Sequence, residues 1–214
     1  MKNIIFLAPP AAGKGTCSEI LKSTYDYEHI STGAILRSEI DSSSSLGLEI
    51  KSVIDSGNLV SDELMINLIE ERLSNNQKKF ILDGFPRTLN QAEKLNELFN
   101  KLDISNYVVI YLNIEYDLAL KRTLGRITCD KCGKSYNTFF EGYKPKIDGI
   151  CDNCNTPLKK RCDDNEVSFK NRFETYLKNT YPILDYYKKI GKVREISIDN
   201  NVDLFSALKE IVSD

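Results

Sequence analysis

The sequence of 214 residues lacks a surplus of charge of either sign. Its 29 lysines and arginines nearly balance 31 aspartates and glutamates, which leaves a formal net charge of −2. Such a chain has no global field that would attract nucleic acid or an anionic membrane, so any anion site must be built locally. No apolar run approaches the roughly 20 residues needed to cross a bilayer. We therefore expect neither nucleic acid nor a membrane among the partners.

Targeting signals and histidine are also scarce. The apolar run near the start, residues 3–8, is too short for a signal peptide and is followed by no small-residue cleavage site. We therefore expect a cytoplasmic protein. His29 is the single histidine, and we interpret it as a packing residue rather than a catalytic one.

What the sequence does contain is an alternation of short apolar runs with segments of helical periodicity. Four runs predict strands buried on both faces, and they are residues 3–8, 78–83, 107–112 and 193–198. A shorter fifth strand is expected at 27–30. The alternation predicts an α/β fold with a parallel five-stranded sheet flanked by helices.

Two helical segments are marked clearly. The first has Ser61 as its predicted N-cap and places Leu64, Leu68 and Ile69 on one stripe. The second repeats apolar residues at helical spacing, at Phe169, Phe173, Tyr176 and Leu177. Each segment can therefore cover one face of the sheet.

A candidate phosphate-binding loop, APPAAGKGT, occupies residues 8–16 between the first strand and a helix. Such loops direct backbone N–H groups and a lysine at phosphate oxygens, with a helix N-terminus behind them. Ala8 stands where the pattern has its first glycine, and Ala11 is a further alanine between it and Gly13. An alanine in the left-handed conformation costs roughly 1–2 kcal/mol. We therefore predict negative φ at both positions, with the Cβ atoms directed away from the phosphates.

A second motif, LDGFPRTLNQ, begins at the end of the run at 78–83. Asp83 ends this predicted strand, where an open α/β sheet places its ligands, and its carboxylate could hold Mg²⁺ through water. Gly84, Phe85 and Pro86 predict a tight turn from which Arg87 projects. A third motif, STGAILR, starts at Ser31.

Four of the six cysteines form the pattern C-x₂-C-x₁₈-C-x₂-C, made by Cys129, Cys132, Cys151 and Cys154. Two knuckles that supply four thiolates predict a closed, structural Zn²⁺ site. Two redox motifs or a nucleic-acid-binding ribbon are the alternatives. We interpret Cys17 and Cys162 as packing residues or spectators.

Together these motifs resemble the adenylate kinases and related nucleoside monophosphate kinases over essentially the whole chain. The resemblance implies a P-loop NTPase-like core made of residues 1–30, 61–124 and 163–214. It also implies a monophosphate-binding insertion at 31–60 and a zinc-binding lid at 125–162. The implied protein is a monomer that transfers the terminal phosphoryl group of Mg·ATP to AMP, giving two ADP.

The resemblance also implies individual roles. The residues around the transferred phosphoryl group would be Lys14, Asp83, Arg87, Arg122, Arg126, Arg161 and Arg172. ATP would contact Ala11, Ala12, Gly13, Lys14, Gly15, Thr16, Arg126, Ser135, Tyr136 and Val202, with the Thr16 hydroxyl near Mg²⁺. AMP would contact Thr32, Arg37, Asn58, Leu59, Val60, Gly84, Phe85, Pro86, Arg87, Gln91, Arg161 and Arg172.

Two departures and two alternatives accompany this interpretation. The family usually has aspartate where Ala34 stands, whereas Thr32 favours AMP over pyrimidine monophosphates. Asp163 and Asp164 are expected to be hinge or pairing carboxylates. The alternatives are a kinase for another nucleoside monophosphate, and a P-loop regulatory or nucleic-acid-binding protein with a zinc ribbon.

Overall fold

The computed structural model describes residues 1–42, 44–55, 60–161, 163–199 and 203–213. Within these ranges it describes only the backbone at Arg37, Leu46, Ile54, Asp55 and Ser213. The predicted contacts of Asn58, Leu59 and Val202 therefore lie outside the described residues, as do Cys162 and the side chain of Arg37.

A parallel sheet of five strands forms the centre of the fold, as predicted. Its strands are β1 (Asn3–Leu7), β2 (Glu28–Ser31), β3 (Phe80–Asp83), β4 (Tyr107–Ile114) and β7 (Val193–Ile198), and their order is β2-β3-β1-β4-β7. The central strand β1 is buried along its whole length. The expectation of burial on both faces is wrong for β7, where Arg194, Glu195 and Ser197 are exposed. As an edge strand, β7 lies at the margin of the helical layers.

Helices cover both faces of this sheet. They are α1 (Lys14–Tyr25), α2 (Thr32–Asp41), α3 (Ser45–Asp55), α4 (Asp62–Ser74), α5 (Leu89–Lys101), α6 (Tyr116–Leu124), α7 (Glu166–Thr175), α8 (Tyr181–Lys189) and α9 (Leu204–Ser213). Alternate residues of β1 enter different apolar clusters: Ile5 packs in one with Ile69 of α4, and Ile4 in the other with Leu208 of α9. This is the two-residue period of a strand buried on both sides. Among the described residues, no helix is both long and apolar enough to cross a bilayer.

The two marked helices form with differences in detail. Ser61 caps α4 as predicted, because its hydroxyl accepts a hydrogen bond from the Leu64 N–H. The fully buried stripe of α4 is Met65, Ile69 and Leu73, whereas Leu64 is only partly buried. A π-helical segment, Tyr176–Thr180, interrupts the second helix between α7 and α8. Within that segment Leu177, expected on the apolar stripe, is 49% exposed.

The cysteine-bearing segment folds outside the main sheet. It contains an antiparallel pair, β5 (Arg126–Thr128) and β6 (Ser135–Asn137), followed by a 3₁₀ turn at Glu141–Tyr143. Backbone hydrogen bonds between Thr128 and Lys159 join the start of the segment to its end. A small local cluster of Cys129, Tyr136 and Cys151 forms its interior.

Candidate active site

The loop between β1 and α1 opens toward solvent at the start of the helix. Gly13 has a φ of 100° and forms the N-cap of α1. A Cβ atom added at Gly13 or Gly15 would meet no protein atom within 4 Å, so both glycines border open space. The ammonium group of Lys14 lies 3.4 Å from the Ala8 carbonyl oxygen. The loop therefore has the open concavity and the lysine that an anion site needs.

The prediction of negative φ is wrong at Ala11, where φ is 59°. Ala8 is not among the described residues with positive φ, as predicted. The loop reverses direction within a few residues, and the Ala12 N–H bonds back to the Pro9 carbonyl at 3.5 Å. This path requires a left-handed residue at position 11, so alanine adopts that conformation despite its cost.

Asp83 lies at the carboxyl end of β3, beside the end of β1. In the sheet its partners are Phe6 of β1 and Ser31 of β2. Nε2 of His29 lies 3.3 Å from Oδ2 of Asp83. Burial alone would raise the pKa of Asp83, but the hydrogen bond with His29 and the charge of Lys14 lower it overall. Asp83 is therefore a carboxylate at neutral pH.

Gly84 allows two functional side chains to approach the turn after β3. Its φ is 87°, and an added Cβ would lie 2.7 Å from the Thr32 hydroxyl and 3.1 Å from Nη2 of Arg87. The Arg87 Nε donates to the Gly84 carbonyl at 2.7 Å. A side chain at this position would displace both neighbours. The turn thus fixes Thr32 and Arg87 against each other.

Gln91 is buried and held by hydrogen bonds from two directions. Its Oε1 accepts from the Arg87 N–H at 2.7 Å, and its Nε2 donates to Oδ1 of Asp62 at 2.6 Å. The other carboxylate oxygen of Asp62 accepts from Asn90 at 2.6 Å. Asp62 therefore fixes the start of α5, a role that the sequence did not suggest beyond a favourable charge in the first turn of α4.

Two of the predicted arginines pair with the two carboxylates expected to serve as partners. Nε of Arg126 donates to Asp164 at 2.8 Å, and a second bond makes the pair bidentate. Nη1 of Arg172 donates to Asp163 at 2.9 Å. The Asp164 side chain is fully buried, so it forms a fixed anchor for Arg126 at the base of the cysteine-bearing segment.

Arg122 links that segment to the loop after β7. Its Nη2 donates to the Asp199 carbonyl at 3.2 Å, and its guanidinium lies 6.0 Å from the Phe140 ring centroid. Arg161 is exposed at the other end of the segment.

Four of the predicted charged groups act on a single lysine. The pKa of Lys14 is lowered mainly by burial, while Asp83 raises it and Arg87, Arg172 and Arg126 lower it further. Three arginines and one carboxylate therefore belong to the electrostatic surroundings of Lys14. This is a positively charged pocket suited to a polyphosphate.

The four predicted cysteine ligands also converge. Their Sγ atoms all lie within 4.8 Å of one another. Each knuckle ends in a left-handed residue, at Gly133 with a φ of 74° and at Asn155 with a φ of 53°. The Thr156 hydroxyl lies 3.0 Å from the Cys129 Sγ, and this contact, together with backbone hydrogen bonds from Cys132 and Lys131, lowers the pKa of that thiol to about 6. Four clustered sulfur atoms could hold one tetrahedral metal ion.

The remaining described residues that were predicted to contact the nucleotides differ in their exposure and in their neighbours. Tyr136 is buried, and its hydroxyl lies 3.5 Å from the Cys151 Sγ and accepts a bond from the Asp152 N–H at 2.8 Å. Ser135 beside it is exposed. Val60 and Thr32 are both nearly buried. The Tyr136 hydroxyl therefore belongs to the cysteine cluster.

His29, interpreted from the sequence as a packing residue, has a polar contact with Asp83 that the sequence did not reveal. Its contact with Asp83 depends on the pairing of β2 with β3, which places His29 opposite Ile81, two residues from Asp83. The sequence carries no signal of that register.

Comparison with known proteins gives a consistent result. The family model described as adenylate kinase matches residues 6–192. An adenylate kinase of Thermosipho melanesiensis is 41% identical over 213 residues, covering 99% of this chain and 98% of the relative. Adenylate kinases of Geobacillus sp. (39% identical; 98% of each chain covered) and Hydrogenobaculum sp. (40% identical; 98% of this chain and 99% of the relative covered) are similarly close.

Proposed function

The chain belongs to the adenylate kinase family, and we propose that it transfers the terminal phosphoryl group of ATP directly to AMP, giving two ADP. Members of this family are phosphotransferases, so the chain is an enzyme of that class. The observation that carries the proposal is the geometry of the phosphate loop: Gly13 begins α1 after β1, Asp83 ends the neighbouring strand β3, and the turn that follows holds Arg87. Transfer of this kind depends on positioning and on positive charge around the phosphate oxygens.

We propose that the donor phosphates occupy the concavity of the loop at residues 8–16. There the N–H groups around Gly13 and Gly15 would bind oxygens, and Lys14 would exchange its contact with the Ala8 carbonyl for the phosphates. Arg122 and Arg126 would approach from the cysteine-bearing segment. The remaining donor contacts, Ala11, Ala12, Ser135, Tyr136 and Val202, keep the roles implied by the family.

Mg²⁺ fits the acidic side of this pocket. Asp83 is ionised at neutral pH, and an oxygen donor of this type suits Mg²⁺. Asp83 and the Thr16 hydroxyl would hold the ion, which when bound neutralises charge on the phosphate oxygens. The contact with His29 fixes the orientation of the carboxylate.

On the acceptor side, Arg87 would bind the phosphate of AMP together with Arg37, Arg161 and Arg172. The base and ribose would lie against the face lined by Thr32, Gln91 and residues 58–60. The turn at Gly84, Phe85 and Pro86 sets the direction of Arg87, because the Gly84 carbonyl accepts its Nε.

We propose that residues 125–162 form a lid, residues 31–60 a monophosphate-binding insertion and the remainder the core. Closure of the lid would exclude water, which otherwise competes as the acceptor. The pairs Arg126–Asp164 and Arg172–Asp163 lie where the lid meets the core. They would therefore orient the arginines as the lid moves.

One Zn²⁺ bound by the four cysteines would stabilise this lid. The donor set fits, because four sulfur atoms close a tetrahedron and leave no position for a catalytic water. The metal would replace the apolar core that a segment of this size cannot build. We also propose that the protein is a cytoplasmic monomer, since reduced thiols of this kind persist in a reducing compartment.

A coupled assay of ADP production with AMP, CMP, UMP and GMP as acceptors tests the proposal. AMP should give the highest kcat/KM, and omission of Mg²⁺ should abolish turnover. A preference for CMP or UMP would instead indicate a kinase for another monophosphate. An absence of turnover with all four, together with tight binding of RNA or DNA, would indicate the nucleic-acid-binding alternative.

A further inference from the structure

A π-helical segment, Tyr176–Thr180, follows Arg172 in the long helix near the candidate active site. Arg172 lies in α7 before the segment, and Thr180 is its last residue. Single π-helical turns inside α-helices frequently occur at functional sites. This one therefore raises the question of what the change in helical register achieves.

The register of the helix provides an answer. In a regular α-helix two residues eight positions apart would differ in direction by about 80°. A π-helical turn accommodates one additional residue, so the same two positions then differ by only about 20°. Arg172 and Thr180 are thereby brought toward one face of the helix, on which Thr180 contacts the turn after β3.

In this orientation Thr180 contacts the backbone of Arg87, on the acceptor side of the site. Its hydroxyl donates a hydrogen bond to the backbone carbonyl of Arg87 at 3.1 Å, across 93 residues of sequence. The Arg87 N–H is already held by Gln91, and its Nε by the Gly84 carbonyl. The contact from Thr180 ties Arg87 to the helix that carries Arg172.

We propose that Thr180 is a positioning residue for AMP binding, which it promotes by fixing the backbone of Arg87 relative to Arg172. The inference rests on the proposed function, because it assumes that Arg87 binds the acceptor phosphate. A bidentate phosphate contact depends on the position of the guanidinium, and the π-helical turn supplies the hydroxyl that limits movement of the Arg87 backbone.

The test compares three variants with the wild-type enzyme. Thr180→Val removes the hydroxyl at nearly constant volume, Thr180→Ala removes it without adding a methyl group, and Thr180→Ser keeps it. Thr175→Val is the matched control, because the Thr175 hydroxyl bonds to the Asn171 carbonyl of its own helix at 2.8 Å. AMP and ATP dissociation constants are measured by calorimetry, and KM and kcat are measured in the coupled assay.

Loss of the hydroxyl should raise both the dissociation constant and the KM of AMP by about two- to tenfold, the range for one neutral hydrogen bond. The values for ATP should stay near those of the wild type, as should all values for Thr180→Ser and Thr175→Val. Unchanged AMP affinity in both Thr180→Val and Thr180→Ala, or an equal loss in the Thr175→Val control, would overturn the proposal. A wild-type enzyme without AMP kinase activity would instead refute the proposed function.

Discussion

Replacing Ala11 by glycine offers a direct test of backbone strain in the phosphate loop. Ala11 has a φ of 59°, a conformation that costs an L-residue roughly 1–2 kcal/mol. Glycine has no such penalty, but its unfolded chain has more conformations to lose, which opposes folding by about 0.4–1 kcal/mol. The difference predicts that Ala11→Gly raises the free energy of unfolding by about 0.5–1 kcal/mol.

Ala12 supplies a matched control, because it is the adjacent alanine and has no positive φ. Its side chain is only 1% exposed and packs in an apolar cluster. Ala12→Gly therefore loses about 0.8 kcal/mol of buried methyl in addition to the same entropic term. We expect this variant to be less stable than the wild type by about 1–2 kcal/mol.

The assay is urea unfolding followed by circular dichroism, in the presence of zinc and without nucleotide. The two neighbouring substitutions should change the free energy of unfolding in opposite directions, and in a parallel thermal melt the midpoint temperature of Ala11→Gly should rise by about 1–4 °C. If Ala11→Gly lowers stability as much as Ala12→Gly does, the left-handed conformation at position 11 carries no strain and the reasoning fails.

Three further predictions concern the charges and the metal. Lys14→Met should lower kcat by at least about 100-fold, the scale for loss of one preorganised electrostatic contact. Its circular dichroism spectrum should be unchanged. Turnover near that of the wild type would contradict the assignment of Lys14 to the phosphates. Metal analysis should find about one zinc per chain, and Cys151→Ser or a strong chelator should lower the thermal midpoint. A metal-free protein with full activity and an unchanged thermal midpoint would contradict the structural zinc site. Because the folded protein lowers the pKa of Asp83 below its ordinary value, its ionisation stabilises the fold above the unfolded pKa of about 3.9 and loses that effect as pH falls through the folded pKa. The stability difference between wild type and Asp83→Asn, measured in urea, should therefore shrink below about pH 4, and a difference independent of pH would show that the charge contributes nothing.

Features written in local sequence were predictable. The apolar runs predicted the five strands of the main sheet, and Ser61 predicted the start of α4. The cysteine knuckles follow from ligand spacing, since a tight turn between two cysteines brings their sulfur atoms together. The pairing of Asp163 and Asp164 with arginines was also expected, and it is confirmed.

Features that depend on three-dimensional register were not predictable. The contact between His29 and Asp83 requires the alignment of β2 with β3, and a lone histidine gives no indication of it. The π-helical turn at Tyr176–Thr180 left no mark in the apolar periodicity, which continued through Tyr176 and Leu177. Its effect on Thr180 emerges only from the shift of the helical face.

Ala11 shows why residue preference failed as a guide to this loop. The preference of alanine for negative φ is a local property, whereas the loop must end β1 and begin α1 within residues 8–13. That closure fixes the backbone at position 11, and the fold can bear the cost because roughly 1–2 kcal/mol does not exceed the 5–15 kcal/mol of net stability typical of a domain. Gly13, with a φ of 100°, lies outside the left-handed region that alanine can enter at moderate cost. The loop can therefore accept alanine at position 11 while position 13 still requires glycine.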